Sequence, residues 1–172
     1  MKMKKTKILG LVLALIMFFT NLPFGMGIVH AEAGIKIDDT SFPDKKFRDY
    51  VSKEFDTDKN GELSQEEIDK VETIVIRYEG LSSLDGIKYF TKLSFLGCEG
   101  NNITKLDLSN NTKLKTLYCA GNQLTELDLK NNKNLGLLSF SDNRISTIDL
   151  SNNENLGSLS FDNNKLDRKS VV

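Results

Sequence analysis

The sequence lacks several residue types on which catalytic and disulfide-bonded proteins depend. Its 172 residues include no tryptophan, one histidine and two cysteines. The histidine is His30, which lies in an N-terminal segment expected to be removed, so the rest of the chain has no imidazole for catalysis or metal binding. Other catalytic designs need a nucleophile beside its base, or paired carboxylates with shifted pKa values. The acidic residues instead follow a repeat or lie in one short loop, and we therefore expect no enzyme.

A long hydrophobic run is also missing beyond the first residues of the chain. The run at residues 8–19 follows four lysines, and Asn21 and Pro23 interrupt it before it reaches the roughly 20 residues that a membrane anchor needs. Small residues then precede a cleavage point after Ala31, with Ala33 as a second choice. This pattern predicts a signal peptide and a mature protein that is exported and then released or held by weak contacts, with no membrane span after cleavage.

Neither sign of charge dominates, and the balance becomes more acidic after processing. The whole chain has a formal net charge of −1, and residues 1–31 contain four lysines and no acidic residue. The mature chain would therefore carry a charge of −5. A mildly acidic surface argues against nucleic acid or anionic lipid as the partner.

The sequence is rich in a repeat built on leucine and asparagine. Residues 114–122 read L-x-x-L-x-C-x-x-N, and residues 124–132 read L-x-x-L-x-L-x-x-N. One leucine recurs at the same position of every repeat, at Leu96, Leu117, Leu138 and Leu159. A fixed period of about 20–29 residues with these residue types predicts a solenoid of leucine-rich repeats.

Two further features of the repeat predict its local structure. Alternation within each phrase predicts two short strands per coil, with the leucines inward. The asparagines predict two ladders that satisfy backbone groups at the corners: Asn101, Asn122, Asn143 and Asn164 in one, and Asn111, Asn132 and Asn153 in the other.

The two cysteines occupy the same position in neighbouring repeats. Cys98 and Cys119 are one period apart, and Phe140 and Phe161 fill this position in the next two repeats. Stacked strands place such residues about 4.8 Å apart with parallel Cα–Cβ bonds, which is a poor geometry for a disulfide. We expect two buried free thiols that fill the core.

Residues 56–67 match the calcium loop of an EF-hand. Calcium takes about six to eight oxygen ligands, and this loop offers oxygens at the required spacing. Gly61 permits the sharp turn that brings the second half of the loop around the ion. The predicted Ca²⁺ ligands are the side chains of Asp56, Asp58, Asn60 and Glu67, the main-chain carbonyl of Glu62, and Ser64 through a water.

Apolar residues at helical spacing flank this loop on both sides. The first helix is predicted to begin with Ser41 as its capping residue, and Ser64 and Glu67 form a capping box for the second. The helix–loop–helix therefore spans about residues 41–71. EF-hands normally occur in pairs and this chain has one. We therefore expect weak, structural calcium binding, with a dissociation constant on the order of 10⁻⁴–10⁻³ M.

These patterns divide the chain into a signal peptide (residues 1–31), an EF-hand-like helical cap (residues 35–73) and leucine-rich repeats (residues 74–172). The first coil has twenty-two residues and the later coils have twenty-one. A solenoid needs its open ends covered, so the helices are expected to pack over the first coil at Ile74 and Ile76. The predicted fold class is α+β, with a helix–loop–helix cap on a short solenoid of parallel strands.

The order of these motifs resembles that of the secreted or cell-surface leucine-rich repeat proteins of Firmicutes, and is distantly internalin-like. The resemblance rests on the signal peptide, the segment FPDKKFRDYVSKEFDTDKNGELSQEEI, the coil GLSSLDGIKYFTKL and the repeats LxCxxNxLTxLDLSxN. It implies extracellular display and the binding of an extracellular protein or a glycan rather than catalysis. The alternative is a fragment or scaffold of a longer surface protein with no activity of its own.

The repeats do not identify the ligand. The outward strand positions from Gly97 onward contain one aromatic residue, Tyr118, so we predict no cluster of tyrosine, tryptophan and arginine of the kind that anchors interfaces. Three aspartates recur at one position of successive repeats and form an aspartate row, at Asp107, Asp128 and Asp149. We predict that this row is a feature of the repeat, with the hydroxyls of Thr104, Thr125 and Ser146 as hydrogen-bond donors to the carboxylates. The alternative is a cation held along this row.

The end of the chain departs from the repeat. Position 169 should be apolar by the period, but it is Lys169. We expect the last coil to expose Leu159, Phe161, Leu166 and the edge of its strand. This predicts either a truncated member of its family or self-association through the uncapped C-terminal coil.

Overall fold

The computed structural model describes residues 34–167. The predicted signal peptide and its cleavage point lie outside these residues. The described chain begins with strand β1 (Ile35–Lys36), helix α1 (Lys45–Glu54), strand β2 (Glu62–Leu63) and helix α2 (Gln65–Asp69). It continues with strands β3 (Thr73–Val75), β4 (Phe95–Gly97), β5 (Thr116–Tyr118), β6 (Leu137–Ser139) and β7 (Ser158–Ser160). None of the helices in this part of the chain is long and apolar enough to cross a membrane.

Strands β3 to β7 form one parallel sheet in chain order, with one strand from each coil. Ile74 pairs with Leu96, and Leu96 pairs with Leu117. The first coil is therefore one residue longer than the next, as the sequence predicts. The inward residues of these strands are 0% exposed up to Leu138. The predicted solenoid of parallel strands is confirmed.

The second strand predicted in each coil is wrong for the described residues. Leu127 and Leu129 are 5% and 0% exposed, so they point inward as alternation requires. No strand forms at residues 124–132, however, and the segment ends in a turn in which the Asn132 N–H donates to the Leu129 carbonyl at 2.9 Å. Alternation determines which side chains are buried, whereas a strand also needs consecutive backbone groups in register with a neighbour.

Both predicted asparagine ladders are present. The Asn122 Nδ2 donates to the carbonyls of Cys98 (3.0 Å) and Cys119 (3.1 Å), and its Oδ1 accepts from the Ile103 N–H at 3.1 Å. In the second ladder each amide likewise donates to two carbonyls, as seen for Asn111, Asn132 and Asn153. Each asparagine therefore links its own coil to the preceding one.

The helical segment packs on the first coil and continues its core. Phe42, Phe47 and Val51 are 0% exposed. The ring of Phe90, in the first coil, has its centre 6.3 Å from that of Phe42 and 5.3 Å from that of Phe55. These aromatic contacts join the residues on either side of α1 to the interior of the solenoid, and Phe47 and Val51 of α1 belong to the same core.

Helix α1 begins later than the sequence predicts. Its capping residue is Asp44 rather than Ser41, and the Asp44 Oδ1 accepts from the N–H groups of Lys46 (2.9 Å) and Phe47 (3.2 Å). Pro43 disfavours the α conformation at the residue before it, so the helix cannot extend back to Ser41.

Cys98 and Cys119 are free thiols with no exposed surface, as predicted. Burial raises the pKa of Cys98 to about 12, and it raises the pKa of Cys119 well above its ordinary value. Both thiols are therefore protonated at neutral pH and act as core residues rather than as nucleophiles.

Candidate functional site

The loop at residues 56–67 joins α1 to α2 and bends sharply at two points. Lys59 and Gly61 have positive φ angles of 58° and 83°. A Cβ on Gly61 would meet nothing within 4 Å, so the backbone conformation, and not a lack of space, favours glycine there. The two bends bring the second half of the loop back towards the first.

The loop's own backbone holds its polar side chains. Asp56 accepts from the N–H groups of Asn60 (3.1 Å) and Gly61 (3.0 Å). Asp58 also accepts from the Asn60 N–H at 3.2 Å, and the Asn60 Oδ1 accepts from the Glu62 N–H at 2.7 Å. These bonds turn the side-chain oxygens towards the interior of the loop.

Glu67 closes the loop from the start of α2. It is 6% exposed, and its Oε1 accepts from the N–H and the hydroxyl of Thr57, both at 2.7 Å. Its Oε2 accepts from the N–H and the hydroxyl of Ser64, both at 2.9 Å. The predicted capping box is confirmed, although α2 ends at Asp69. Burial alone would raise the pKa of Glu67, but these hydrogen bonds outweigh it and lower the pKa to about 2.

The structure brings three of the predicted ligands together. One carboxylate oxygen each from Asp56, Asp58 and Glu67 lies within 4.8 Å of the other two. No salt bridge in the described part of the chain neutralises these carboxylates. Confined carboxylates repel one another, and a hard divalent cation with oxygen ligands relieves that repulsion. The donor set therefore fits Ca²⁺.

The remaining predicted ligands lie in the same loop. The Asn60 Nδ2 donates to the Asp58 Oδ2 at 2.8 Å, and the Glu62 carbonyl belongs to β2. The Ser64 hydroxyl contacts Glu67 directly, so its role through a water stays a prediction. The binding of calcium by all of these residues likewise stays a prediction.

A second candidate site lies on the outward face of the five-stranded sheet. The rings of Phe95 and Tyr118 have their centres 5.7 Å apart, and the Arg77 guanidinium lies 5.8 Å from the centre of the Tyr118 ring. Glu99 holds Arg77 in a salt bridge of 2.7 Å. Val75, in the same row of the sheet as Tyr118, is 43% exposed. We call Val75, Arg77, Phe95 and Tyr118 the sheet-face patch.

The sequence predicts no cluster of tyrosine, tryptophan and arginine on this face, and that prediction misses one contact of this kind, between Arg77 and Tyr118. The prediction rests on the outward positions from Gly97 onward. Phe95, the earlier outward residue of the same strand, was not among them. The prediction also left out the first coil, which places Arg77 one repeat before Glu99. A Cβ on Gly97 would lie 2.9 Å from the Arg77 Nη2, so this glycine makes room for the guanidinium. Applying the alternation to every strand would have found the patch.

The aspartate row lines a groove whose walls come from three successive coils. Each carboxylate accepts from the N–H two residues later, at 2.9–3.1 Å, and the donors are Ser109, Lys130 and Ser151. The predicted hydroxyl donors are wrong, because these local turns supply the partners instead. Within residues 34–167 this row does not form a group of ligands close enough to hold a metal.

Comparison with known proteins gives one curated relative and several solved structures. Internalin J of Listeria monocytogenes serotype 4b (strain F2365) is 34% identical over 71 residues, which are 41% of this chain and 8% of that protein. The functional domain of InlJ from Listeria monocytogenes, described as including a cysteine ladder, has a TM-score of 0.73 and 32% identity, over 79% of this chain and 30% of that one.

A second solved structure gives the same fold. The internalin InlF of Listeria monocytogenes strain 4b F2365 has a TM-score of 0.63 and 28% identity, over 80% of this chain and 48% of that one. No protein-family model matches the chain. The chain therefore spans less than half the length of each of these relatives.

Proposed function

We propose that this internalin-like leucine-rich repeat protein is an exported module that binds a protein partner through the outward face of its sheet. One observation carries the proposal, which is the sheet-face patch. Tyrosine and arginine are enriched among the residues that dominate binding energy at interfaces. Here Arg77 follows β3, Phe95 lies in β4 and Tyr118 lies in β5, so the three residues come from successive coils. The salt bridge to Glu99 holds the Arg77 side chain in place in the unbound protein.

The composition around the patch favours a protein over a glycan. Val75 adds an exposed aliphatic side chain, and Leu137 continues the row of Phe95 into the next coils. An apolar and aromatic centre with the Arg77–Glu99 ion pair beside it suits a partner protein that offers both apolar and charged side chains. Hydroxyl groups gather further along the face, at Ser139 and Ser160. A glycan is the alternative occupant.

An array of extracellular proteins and glycans, probed with the purified chain, tests this function. We expect binding to a protein and a loss of about 30-fold or more in affinity for the double variant Arg77→Ala/Tyr118→Ala, since truncating such anchors costs about 2 kcal/mol or more. Arg144→Ala is the matched control, because Arg144 is exposed at a corner outside the sheet. Binding to glycans alone, or protein binding that the double variant leaves unchanged, would contradict the proposal.

We further propose that the loop at residues 56–67 binds one structural Ca²⁺. The grouped carboxylates of Asp56, Asp58 and Glu67 support this proposal, with Asn60 and the Glu62 carbonyl completing the ligand set. An ion held here would tie α1 to α2, and those helices pack on the first coil. Calcium would therefore stabilise the fold rather than take part in a reaction.

A thermal melt with calcium or chelator tests the ion site. With free calcium near ten times the dissociation constant, the gain is about 1.4 kcal/mol, or roughly 3–5 °C in Tm for a chain of this size. Asp56→Ala should abolish the shift, whereas Asp85→Ala, an exposed acidic residue in the first coil, should retain it. A wild-type melting curve that chelator leaves unchanged would rule out a coupled site.

Export is proposed from the N-terminal composition. If cleavage follows Ala31, N-terminal sequencing of the secreted protein should begin at Glu32. Protein that stays with the cells and keeps Met1 would contradict it.

A further inference from the structure

Calcium loops of the EF-hand type normally pair with a second loop, and this chain has one such loop in its sequence. The loop at residues 56–67 instead pairs with strand β1. Strand β1 runs antiparallel to β2, with Ile35 opposite Leu63 and Lys36 opposite Glu62. The Ile37 N–H extends the pairing by donating to the Gly61 carbonyl at 3.0 Å. The N-terminal strand therefore covers the outer edge of the loop along residues 61–63.

The register of this pairing orients a predicted ligand. In an antiparallel pair, residues whose backbone groups face the partner alternate with residues whose groups face away. Gly61 faces β1, because its carbonyl accepts from Ile37. Glu62 is the next residue, so its N–H and its carbonyl face away from β1 and into the loop. The Glu62 N–H does so, since it donates to the Asn60 Oδ1 at 2.7 Å.

The approach of the two strands leaves little room for a side chain at Gly34. A Cβ on Gly34, just before β1, would lie 3.0 Å from the Leu63 carbonyl oxygen and 3.2 Å from the Glu62 Cβ. The φ angle of Gly34 is not positive. The limited space beside β2, and not the backbone conformation, therefore disfavours a side chain at this position. Ile35 and Ile37 meanwhile pack against the core, which fixes β1 to the rest of the fold.

We propose that β1 takes the place of a second calcium loop. It holds residues 61–63 in the conformation that presents the Glu62 carbonyl before the ion binds, and it thereby sets the calcium affinity. This inference rests on the proposed calcium site. A loop that is already ordered loses less conformational freedom when it binds, so the clamped loop binds calcium more tightly than the same loop without β1.

Calcium titration by calorimetry of the purified chain and its variants tests this inference. Ile37→Pro removes the N–H that bonds to Gly61, and Ile37→Ala is its matched control because it loses similar apolar contact but keeps the N–H. We expect Ile37→Pro to bind Ca²⁺ about three- to tenfold more weakly than Ile37→Ala, which is the effect of one hydrogen bond. Lys36→Pro should match wild type, since the Lys36 N–H faces away from β2.

A second variant disturbs the pairing of β1 with β2 at a different residue. Gly34→Val places a side chain against the Leu63 carbonyl and should weaken calcium binding without touching Ile37. Amide hydrogen exchange in chelator gives a readout without the ion. We expect the Gly61 and Glu62 amides to exchange faster in both Ile37→Pro and Gly34→Val than in wild type.

The outcomes separate the inference from the function on which it rests. Equal calcium affinity in wild type, Ile37→Pro and Gly34→Val would overturn the role of β1 while leaving the calcium site intact. No calcium binding by the wild-type chain would overturn both. Weaker binding in Ile37→Pro and Gly34→Val, with Ile37→Ala and Lys36→Pro near wild type, would support the clamp.

Discussion

At a coil corner, one asparagine side chain supplies the hydrogen-bond partners that the backbone groups of the corner otherwise lack. Asn122 is 7% exposed, accepts one N–H from the preceding coil, and donates to one carbonyl in that coil and to another in its own. A buried backbone group without a partner costs about 1–3 kcal/mol. Asn122 therefore stabilises the solenoid mainly by giving these backbone groups hydrogen-bond partners.

We predict that Asn122→Ala destabilises the protein by about 2–3 kcal/mol, because it leaves the Ile103 N–H unpaired in a dry environment and removes one of the two side-chain amide donors from each of the Cys98 and Cys119 carbonyls. Urea denaturation measures the loss. Asn152→Ala is the control, since Asn152 is exposed and bonds only weakly to Ser151 at 3.4 Å. Similar losses in the two variants would mean that the ladder position is not special.

A backbone bend recurs next to these asparagines. The residue at one fixed position of every coil has a positive φ angle, and the series is Tyr78, Gly100, Gly121, Asp142 and Asn163. Glycine, aspartate and asparagine adopt this conformation more readily than other residues do. Tyr78 is the exception, and its ring covers Gly100 so closely that a Cβ there would lie 2.1 Å from the ring.

Gly121→Ala should destabilise the protein by about 1–2 kcal/mol, because alanine is strained at its φ of 65°. Steric contact is a minor factor, since the nearest atom to an added Cβ would be 3.4 Å away. Gly157→Ala is the matched control, with its nearest atom 3.9 Å away and no positive φ. Chemical denaturation that finds equal stabilities for the two variants would contradict the strain argument.

At the scale of the element, one carboxylate joins helix α1 to the solenoid. The Asp44 Oδ1 caps the helix, while its Oδ2 accepts from the N–H (2.7 Å) and the hydroxyl (2.8 Å) of Ser82 in the first coil. Lys46 adds a bond from its Nζ to the Glu79 carbonyl. The start of α1 is therefore fixed to the first coil by polar contacts as well as by its aromatic residues.

Removing this carboxylate should loosen the cap. We predict that Asp44→Ala costs about 2–3 kcal/mol, from the loss of the helix cap and of hydrogen bonds to a charged group. Asp49→Ala on the same helix is the control, because its salt bridge to Lys45 is exposed and contributes at most about 1 kcal/mol. Thermal melts that show the same loss for both would contradict a joining role for Asp44.

Acid should weaken the same contact. Burial alone would raise the pKa of Asp44, but hydrogen bonds from Ser82, Phe47 and Lys46 outweigh it and lower the pKa below 3.8. The stability that the carboxylate contributes is therefore fully present above its ordinary pKa and is lost as pH falls through the lowered value. We expect the stability difference between wild type and Asp44→Asn to shrink over this acidic range. A difference that stays constant with pH would refute it.

At the scale of the whole molecule, the two ends of the described solenoid differ. The first coil packs against α1, whereas Leu159 and Phe161 in the last described coil are 36% and 41% exposed. Strand β7 lies at the edge of the sheet, and all three of its residues are exposed. An exposed apolar face beside an unpaired strand edge favours pairing with another chain.

We predict, as a hypothesis, that this end associates with a second copy. The molecular mass from light scattering should then rise with concentration for wild type and stay monomeric for Phe161→Asp, since a buried charge would oppose the contact. Tyr78→Asp introduces the same charge at an aromatic residue that is 78% exposed elsewhere, and should behave as wild type. A wild-type protein that is monomeric at every concentration would dismiss the hypothesis.

The sequence by itself determined the features that repeat. The period predicted the inward leucines, the longer first coil and the two asparagine ladders. It also predicted the buried thiols and the capping box at Ser64 and Glu67. These features depend on spacing along the chain alone, because each coil repeats the environment of the coil before it and local turns depend on neighbouring residues.

Only the tertiary structure decided the contacts between distant residues that share no period. The Asp44 carboxylate bonds to Ser82, which lies 38 residues later, and Arg77 contacts Tyr118 two coils away. Strand β1 pairs with β2, which lies in the loop at residues 56–67. The tertiary structure also decided that each coil within residues 74–167 has one strand, because hydrogen bonding in register depends on how neighbouring coils stack. The physical reason is the same in each case. Alternation and spacing set the direction of a side chain, whereas its partner depends on where the rest of the chain is packed.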